Sequence, residues 1–344
     1  MRHLLDRTLV LTAFLALVAG FVSSTAVAQQ YGAPFYQQTY LTSDRAGKAT
    51  YTDPLLKNAW GLAYSPTGPF WVSDEASGWS TLYTATGQPQ SLQVVIPPAT
   101  GTGAGSPTGL VYNGSQEFAI DSWVSVFLFD TLDGTISGWS SFSPTKALIA
   151  VSNPGASYTG LAITNYASGN FLFAADAANN KVDIYDGSFN LVSSFTDPAV
   201  PAGFSPFGIQ DIGGKVYVAY AATSGGPGGY IDVFSEAGVL IRHFTHGAPL
   251  NQPWGMALAP SDFGDLSNTL LITNNATQGN INGFDTLNGT LVGTMSNKSG
   301  KISINGIWGI EFGGGASANG AKNQLFFTAG PNDADGIFGV INSE

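Results

Sequence analysis

The chain reads as all-β, a six-bladed β-propeller of four-stranded antiparallel blades, and three observations lead there. Composition is the first. With 44 glycines, 18 prolines and only 10% charged side chains, and with 22 Phe and 13 Tyr, little is left from which to build an amphipathic helix. The second is the stretch 251–295, where apolar runs at 254–259, 269–273, 280–285 and 291–295 alternate with turn residues such as Ser-Asp-Phe-Gly and Leu-Asn-Gly. Four strands reversing in sequence make a meander. The third is recurrence. A glycine followed by apolar residues opens each unit, at Gly61, Gly109, Gly160, Gly208, Gly255 and Gly309, with steps of 47 to 54 residues. A meander repeated at a fixed period is a propeller blade, and six occurrences give six blades. Innermost strands crowd a central channel, where a glycine lets backbones approach.

Taken in order, residues 1–28 read as a signal peptide. Arg2 and Arg7 precede an apolar run at 8–22, and Ala26-Val27-Ala28 forms a small-residue cleavage site. The run is shorter than the ~20 residues a membrane span needs, and no later run is long enough either. Residues 29–344 are therefore expected to be one exported propeller domain, secreted or periplasmic. Without the leader's Arg2, Arg7 and Asp6, the 12 basic and 23 acidic side chains become 10 and 22, a net charge of −12. Such a surface repels phosphate backbones, which argues against nucleic acid as a partner. The absence of cysteine removes disulfides and thiolate chemistry.

Second strands are expected at 70–72, 126–129, 171–174, 215–219, 270–273 and 325–328. Third strands follow at 80–83, 135–139, 181–185, 230–234, 280–284 and 336–340. Blade 2 carries extra sequence, with an added hairpin strand at 118–121. The last unit stops after its third strand, and an open edge there invites aggregation. The strand-like segment 36–43 is expected to supply the outermost strand of blade 6 and to close the ring.

Phe171-Leu-Phe-Ala-Ala-Asp176, followed by Asn180-Lys-Val182, resembles an NHL-type repeat, in which a strand ends in Asp six residues before the next strand's first apolar residue. Asp74 and Asp130 keep that offset, and Asn275 keeps it with an amide. Asn58-Ala-Trp-Gly-Leu62, Gly105-Ser-Pro-Thr-Gly109, Asp133-Gly-Thr-Ile-Ser-Gly-Trp139, Pro249-Leu-Asn-Gln-Pro-Trp-Gly255 and Thr328-Ala-Gly-Pro-Asn-Asp333 resemble a family of exported bacterial propellers, as do two Thr-Asp-Pro turns at 52–54 and 196–198. Some of its members end in a PEP-CTERM sorting tail. The resemblance implies the fold and brings no assigned activity. Ser343-Glu344 carries no such tail, so release is expected. Where that family has acidic and histidine residues, this chain has Leu132, Ala177, Ala178 and Thr277.

Candidate site residues follow from the blade order. The loops joining second to third strands bring Asp74, Asp130, Asp176, Asn274, Asn275, Asn332 and Asp333 toward one channel mouth. Asn58, Ser106, Asn251 and Asn305, just ahead of the first strands, should join them. Carboxylate and amide oxygens converging on one point suit Ca²⁺, with Asp74, Asp130, Asp176, Asn275 and Asp333 as the metal ligands. Six-bladed lactonases and phosphotriesterases use such a site to polarise an ester or phosphoryl oxygen. The competing reading makes each Asp a builder of its own turn. Trp60, Trp254 and Trp308 cluster once the ring closes, either to stack on a sugar or to fill gaps between blades. With Asn58, Asn251 and Asn305 they are the candidate ligand-binding set. His243 and His246 fall at the end of an outer strand and supply no three-His zinc site. No Gly-x-Ser-x-Gly elbow is present.

The function read from these residues is a binding module for a glycan, peptide or protein at a channel mouth, with no catalytic constellation. The alternative is a calcium-dependent hydrolase or lyase, and a further one is a structural envelope or matrix protein.

Overall fold

The computed structural model describes residues 35–166 and 169–344, so the expected leader at 1–28 lies outside the described residues. Six blades surround a channel. From inner to outer strand, blade 1 is Ala59–Tyr64, Phe70–Asp74, Trp79–Tyr83 and Val94–Val95, and blade 2 is Pro107–Tyr112, Phe127–Thr131, Thr135–Trp139 and Leu148–Ser152. Blade 3 runs Tyr158–Tyr166, Gly169–Asp176, Lys181–Asp186 and Leu191–Phe195, and blade 4 runs Phe204–Asp211, Val216–Ala222, Tyr230–Phe234 and Leu240–His246. Blade 5 is Pro253–Leu258, Thr269–Asn274, Ile281–Asp285 and Leu291–Thr294. Blade 6 has Ile307–Phe312, Gln324–Ala329 and Ile337–Ser343, and its fourth strand is Tyr36–Ser43 from the other end of the chain. Within each blade these four strands pair antiparallel, and each inner strand also packs on the next around a closed circle.

The inner glycines are there because of crowding. A Cβ on Gly61 would stand 2.5 Å from the Thr108 carbonyl, on Gly160 2.9 Å from that of Phe207, and on Gly309 2.7 Å from that of Trp60. Each contact crosses to the next blade, so one side chain at this position would push two blades apart. Between blades the wedge-shaped gaps are filled by alternating apolar residues. Phe173, Ile184, Val218 and Phe234 pack blade 3 on blade 4, and Phe263, Leu271, Ile307 and Phe327 pack blade 5 on blade 6.

Tyr36–Ser43 runs beside Ile337–Ser343 with one bulge, and the Tyr36 hydroxyl donates to the Phe263 carbonyl at 2.7 Å, reaching blade 5. Asp44 holds Lys57 at 2.5 Å and accepts the Gly336 amide at 2.9 Å, and Arg45 meets Asp335 at 2.7 Å. One detail departs from the sequence expectation. This strand is not the outermost, because Tyr51–Thr52 adds to it in parallel and covers its edge. In blade 2 the extra sequence forms a small hairpin, Ala119–Ile120 with Trp123–Val124. Among the described residues the helical elements are two 3-10 turns, Gly264–Leu266 and Pro331–Asp333, and no helix is long and apolar enough to cross a membrane.

Candidate functional site

The two channel mouths differ. At the first, where the chain enters each inner strand and turns from second to third strands, a cleft of about 420 Å³ opens over blades 4, 5 and 6. Its wall carries Asn251, Gln252, Asn275, Thr277, Asn305, Asn332 and Asp333, with Gly225, Gly226, Gly306 and Gly330 exposing backbone between them. Five residues expected at a mouth, Asn251, Asn275, Asn305, Asn332 and Asp333, thus come together. Asn275 is fixed by its amide, which donates to the Ile307 carbonyl at 3.2 Å, while Asn305 reaches Asn332 at 3.5 Å. Three wall residues hold left-handed backbone, Gln252 (φ 51), Asn332 (φ 59) and Asp333 (φ 54), as does the adjoining Asn58 (φ 44). Non-glycine residues adopt that region at a cost, and such strain gathers at ligand sites.

Behind the cleft the tryptophans close the channel. Trp60 and Trp308 stack with centroids 3.5 Å apart, and Trp254 meets both edge-on at 6.0 and 5.9 Å. Phe207 and Leu132 complete the plug. All three indoles are at most 9% exposed, so their faces are occupied by one another. Trp254 Nε1 donates across the channel to the Thr159 carbonyl at 2.7 Å, and Trp308 Nε1 to Asn58 Oδ1 at 3.1 Å. The second amide hydrogen-bonding side of Asn58 goes to Glu75 at 2.8 Å. Asn58 and the three tryptophans therefore form a buried floor, while Asn251 and Asn305 belong to the open cleft.

The aspartates do not converge. Asp74 is fully buried and accepts from the Thr81 hydroxyl at 2.7 Å, and burial holds its carboxyl well above the usual range. Asp176 accepts from the Ser157 amide at 3.1 Å and from Asn179 Nδ2 at 2.7 Å, tying its own turn. Asp130 takes a different place altogether. Thr131, not Asp130, pairs with the first residue of its inner strand as Asp74 and Asp176 do, because blade 2's turn is one residue shorter. Asp130 instead accepts the Gly109 amide at 2.5 Å and the Thr108 hydroxyl at 2.8 Å. Thr273 and Thr328 do that job in blades 5 and 6, accepting from Gly255 and Gly309. Burial pushes Asp130 up to about 6 despite these donors. Among the described residues no three of Asp74, Asp130, Asp176 and Asp333 bring ligand atoms together, so the expected calcium ring with Asn275 is not assembled. The cleft offers one carboxylate, Asp333, among neutral amides, a donor set of low charge for Ca²⁺.

Two arrangements were not read from the sequence. At the opposite mouth, about 310 Å³ is lined by Tyr64, Tyr112, Ile163, Gln210, Asp211 and Glu311. Glu311 also lines the narrow channel above it, and burial pushes its carboxyl up to about 7. Between blades 3 and 4, Asp197, Asp232 and His243 bring one ligand atom each within 4.8 Å of one another, the only such group among the described residues. Nothing in the apolar periodicity marks Glu311 as channel-facing, and Asp197 lies 35 residues ahead of Asp232 on a turn belonging to the previous blade.

No family model matches the chain. It is 29% identical over 328 residues to an uncharacterised protein of Acanthamoeba polyphaga mimivirus, covering 88% of this chain and 79% of that one. A second uncharacterised mimivirus protein is 28% identical over 355 residues, covering 93% and 91%. Among solved structures, the soluble aldose sugar dehydrogenase of Escherichia coli superposes with a TM-score of 0.57 at 12% identity, covering 90% of this chain and 100% of that one. A virginiamycin B lyase from Staphylococcus aureus gives 0.56 at 13%, covering 90% and 99%. A gluconolactonase from Xanthomonas campestris gives 0.54 at 13%, covering 84% and 88%. These likenesses show the fold alone.

Proposed function

We propose that the protein is an exported binding module whose amide-lined mouth takes a neutral, hydroxyl-rich ligand of the glycan class. One observation carries the reading. Asn251, Gln252, Asn275, Asn305 and Asn332 share one cleft with a single carboxylate, Asp333. An amide presents two donors and an acceptor with two lone pairs, so a row of amides matches hydroxyls, which also donate and accept. The volume is that of a small-ligand pocket. The left-handed residues around it argue for a wall set before the ligand arrives, which lowers the ordering cost of binding. Export rests on the leader at 1–28, and the NHL-like turns and bacterial-family segments are consistent with an exported propeller. Peptide or protein ligands are the other members of the same reading.

Asp333 favours a second reading. As the cleft's carboxylate it could share a calcium ion with amide oxygens and serve a hydrolase or lyase, as propellers of lyase and gluconolactonase type are among the structures of similar fold. The test is calorimetric titration with laminarihexaose, cellohexaose and maltohexaose, with and without Ca²⁺, and with a hexauronate as the acidic control. The glycan reading expects saturable binding of a neutral hexaose that is indifferent to Ca²⁺ and tenfold or more weaker in Asn275→Ala. Binding or turnover that requires Ca²⁺ would transfer support to the second reading, and silence toward every sugar would remove the first.

A further inference from the structure

Blades 1, 3 and 4 solve the same local problem differently. At one register position of the third strand stand Asp183 in blade 3 and Asp232 in blade 4, opposite Ala174 and Val218 of their second strands. Asp183 is saturated: Lys181 Nζ at 2.6 Å and the Ser194 hydroxyl at 2.5 Å on one oxygen, the Tyr158 hydroxyl at 3.1 Å on the other. Asp232 is as deeply buried, yet its Oδ2 has no hydrogen-bond partner and Oδ1 meets only His243 Nδ1, at 3.0 Å. The Thr-Asp-Pro turns repeat the contrast. Asp53 caps the Leu55 amide with one oxygen and takes the Tyr83 hydroxyl on the other, at 3.0 Å each. Asp197 caps the Ala199 amide at 2.8 Å, but its Oδ2 is buried, receives no hydrogen bond and stands 3.4 Å from His243 Nδ1.

Two buried carboxylates and one imidazole thus stand together, and one oxygen of each carboxylate has no donor. The Tyr220 hydroxyl has no hydrogen-bond partner, and its proton is held on first by burial and then by the charges of Asp232 and Asp197. Leaving several buried polar atoms unpaired is costly, about 1–3 kcal/mol each, and a protein that retains such a group needs a reason.

We propose that Asp197, Asp232 and His243 form a binding site for a first-row divalent ion of the zinc type. Tetrahedral bonds of about 2.0–2.1 Å separate ligand atoms by about 3.3 Å, and Nδ1 stands 3.0 and 3.4 Å from the two carboxylate oxygens. An imidazole nitrogen selects zinc over calcium, which prefers oxygen throughout. Two carboxylates neutralise the ion, and three protein ligands leave a fourth position for water. The His243 side chain is 51% exposed, which gives the ion a way in. The site lies between blades 3 and 4, away from the amide-lined cleft, and does not depend on that cleft's ligand.

The rival is a plain ion pair, with His243 protonated by its bond to Asp232 and no metal. The two are separated by titrating tag-free, EDTA-stripped protein with Zn²⁺ and, in parallel, Ca²⁺, read by calorimetry, elemental analysis and melting. The expected result is one zinc per chain and a melting rise of several degrees that Ca²⁺ does not reproduce. Affinity should fall about tenfold per pH unit below the pKa of His243, since the metal must displace its proton while Asp197 and Asp232 face it. His243→Ala and Asp197→Asn should weaken binding tenfold or more, the latter keeping the turn cap through its amide oxygen. His246→Ala should change nothing. Absence of zinc binding, zinc binding that survives His243→Ala, or an equal response to Ca²⁺ would each overturn the site.

Discussion

The two mouths of the same channel are built from the same repeat and present opposite chemistry. At one, second-to-third strand turns and the segments ahead of the inner strands bring amides together over a floor of stacked tryptophan. At the other, the ends of the inner strands leave Tyr64, Tyr112, Gln210, Asp211 and Glu311 around an opening. Apolar residues between blades dictate the ring, so neither mouth is needed to hold it. What the difference teaches is that the tryptophans divide the channel into two compartments of unlike chemistry.

The largest effect should come from abolishing both mouths at once. Deleting residues 29–45 removes the strand beside Ile337–Ser343 and the Tyr36 tie to blade 5. The ring then lacks its closure, and cooperative melting should be lost or shifted down by well over ten degrees. Unchanged melting would show that the pairing does not carry the ring's stability. Next is the partition itself. Trp308→Ala leaves a cavity beside Trp60 and frees Asn58 Oδ1, at a cost of about 3–5 kcal/mol in denaturant unfolding. A cost under about 1 kcal/mol would mean that the indole is a ligand platform rather than a plug.

Glu311 gives a smaller effect with a definite sign. Its folded pKa of about 7 lies above the ordinary 4.5, so burial favours the protonated acid. Wild-type stability from this group is fully present below about pH 4.5 and falls as pH rises toward 7. Water in the open mouth screens the effect, leaving about 1–2 kcal/mol. Glu311→Gln should therefore match wild type at pH 4 and be more stable at pH 8, in unfolding curves taken across that range. A gap that does not widen with pH would place Glu311 in solvent. The smallest effect is at the cleft. Asn305→Ala removes only a long contact to Asn332 and should change stability by less than about 0.5 kcal/mol.

Much of the ring was legible because its causes are local and repeated. Six glycines at a steady step report six close approaches of neighbouring backbones, and the apolar runs report the strands. The cleft was legible in part. Asn251, Asn275, Asn305 and Asp333 are turn residues, and a blade's topology sends its turns to a fixed end. Asp130 was misplaced by one residue because the offset of six to the next apolar residue does not reveal how many residues the turn consumes. The tryptophans could be assigned to one cluster but not to mutual stacking, which depends on the channel's width. Glu311 and the Asp197–Asp232–His243 group were illegible. Their chemistry arises from residues far apart in the chain meeting across a seam or a channel.

The central claim is that the amide mouth, not the acidic one, takes the ligand. The direct measurement is a titration of laminarihexaose, cellohexaose and maltohexaose into wild type, Asn305→Ala and Glu311→Gln at pH 7. The account predicts tenfold or more loss of affinity for the bound hexaose in Asn305→Ala and wild-type affinity in Glu311→Gln. Affinity that survives in Asn305→Ala and disappears in Glu311→Gln would contradict it and move the site to the opposite mouth.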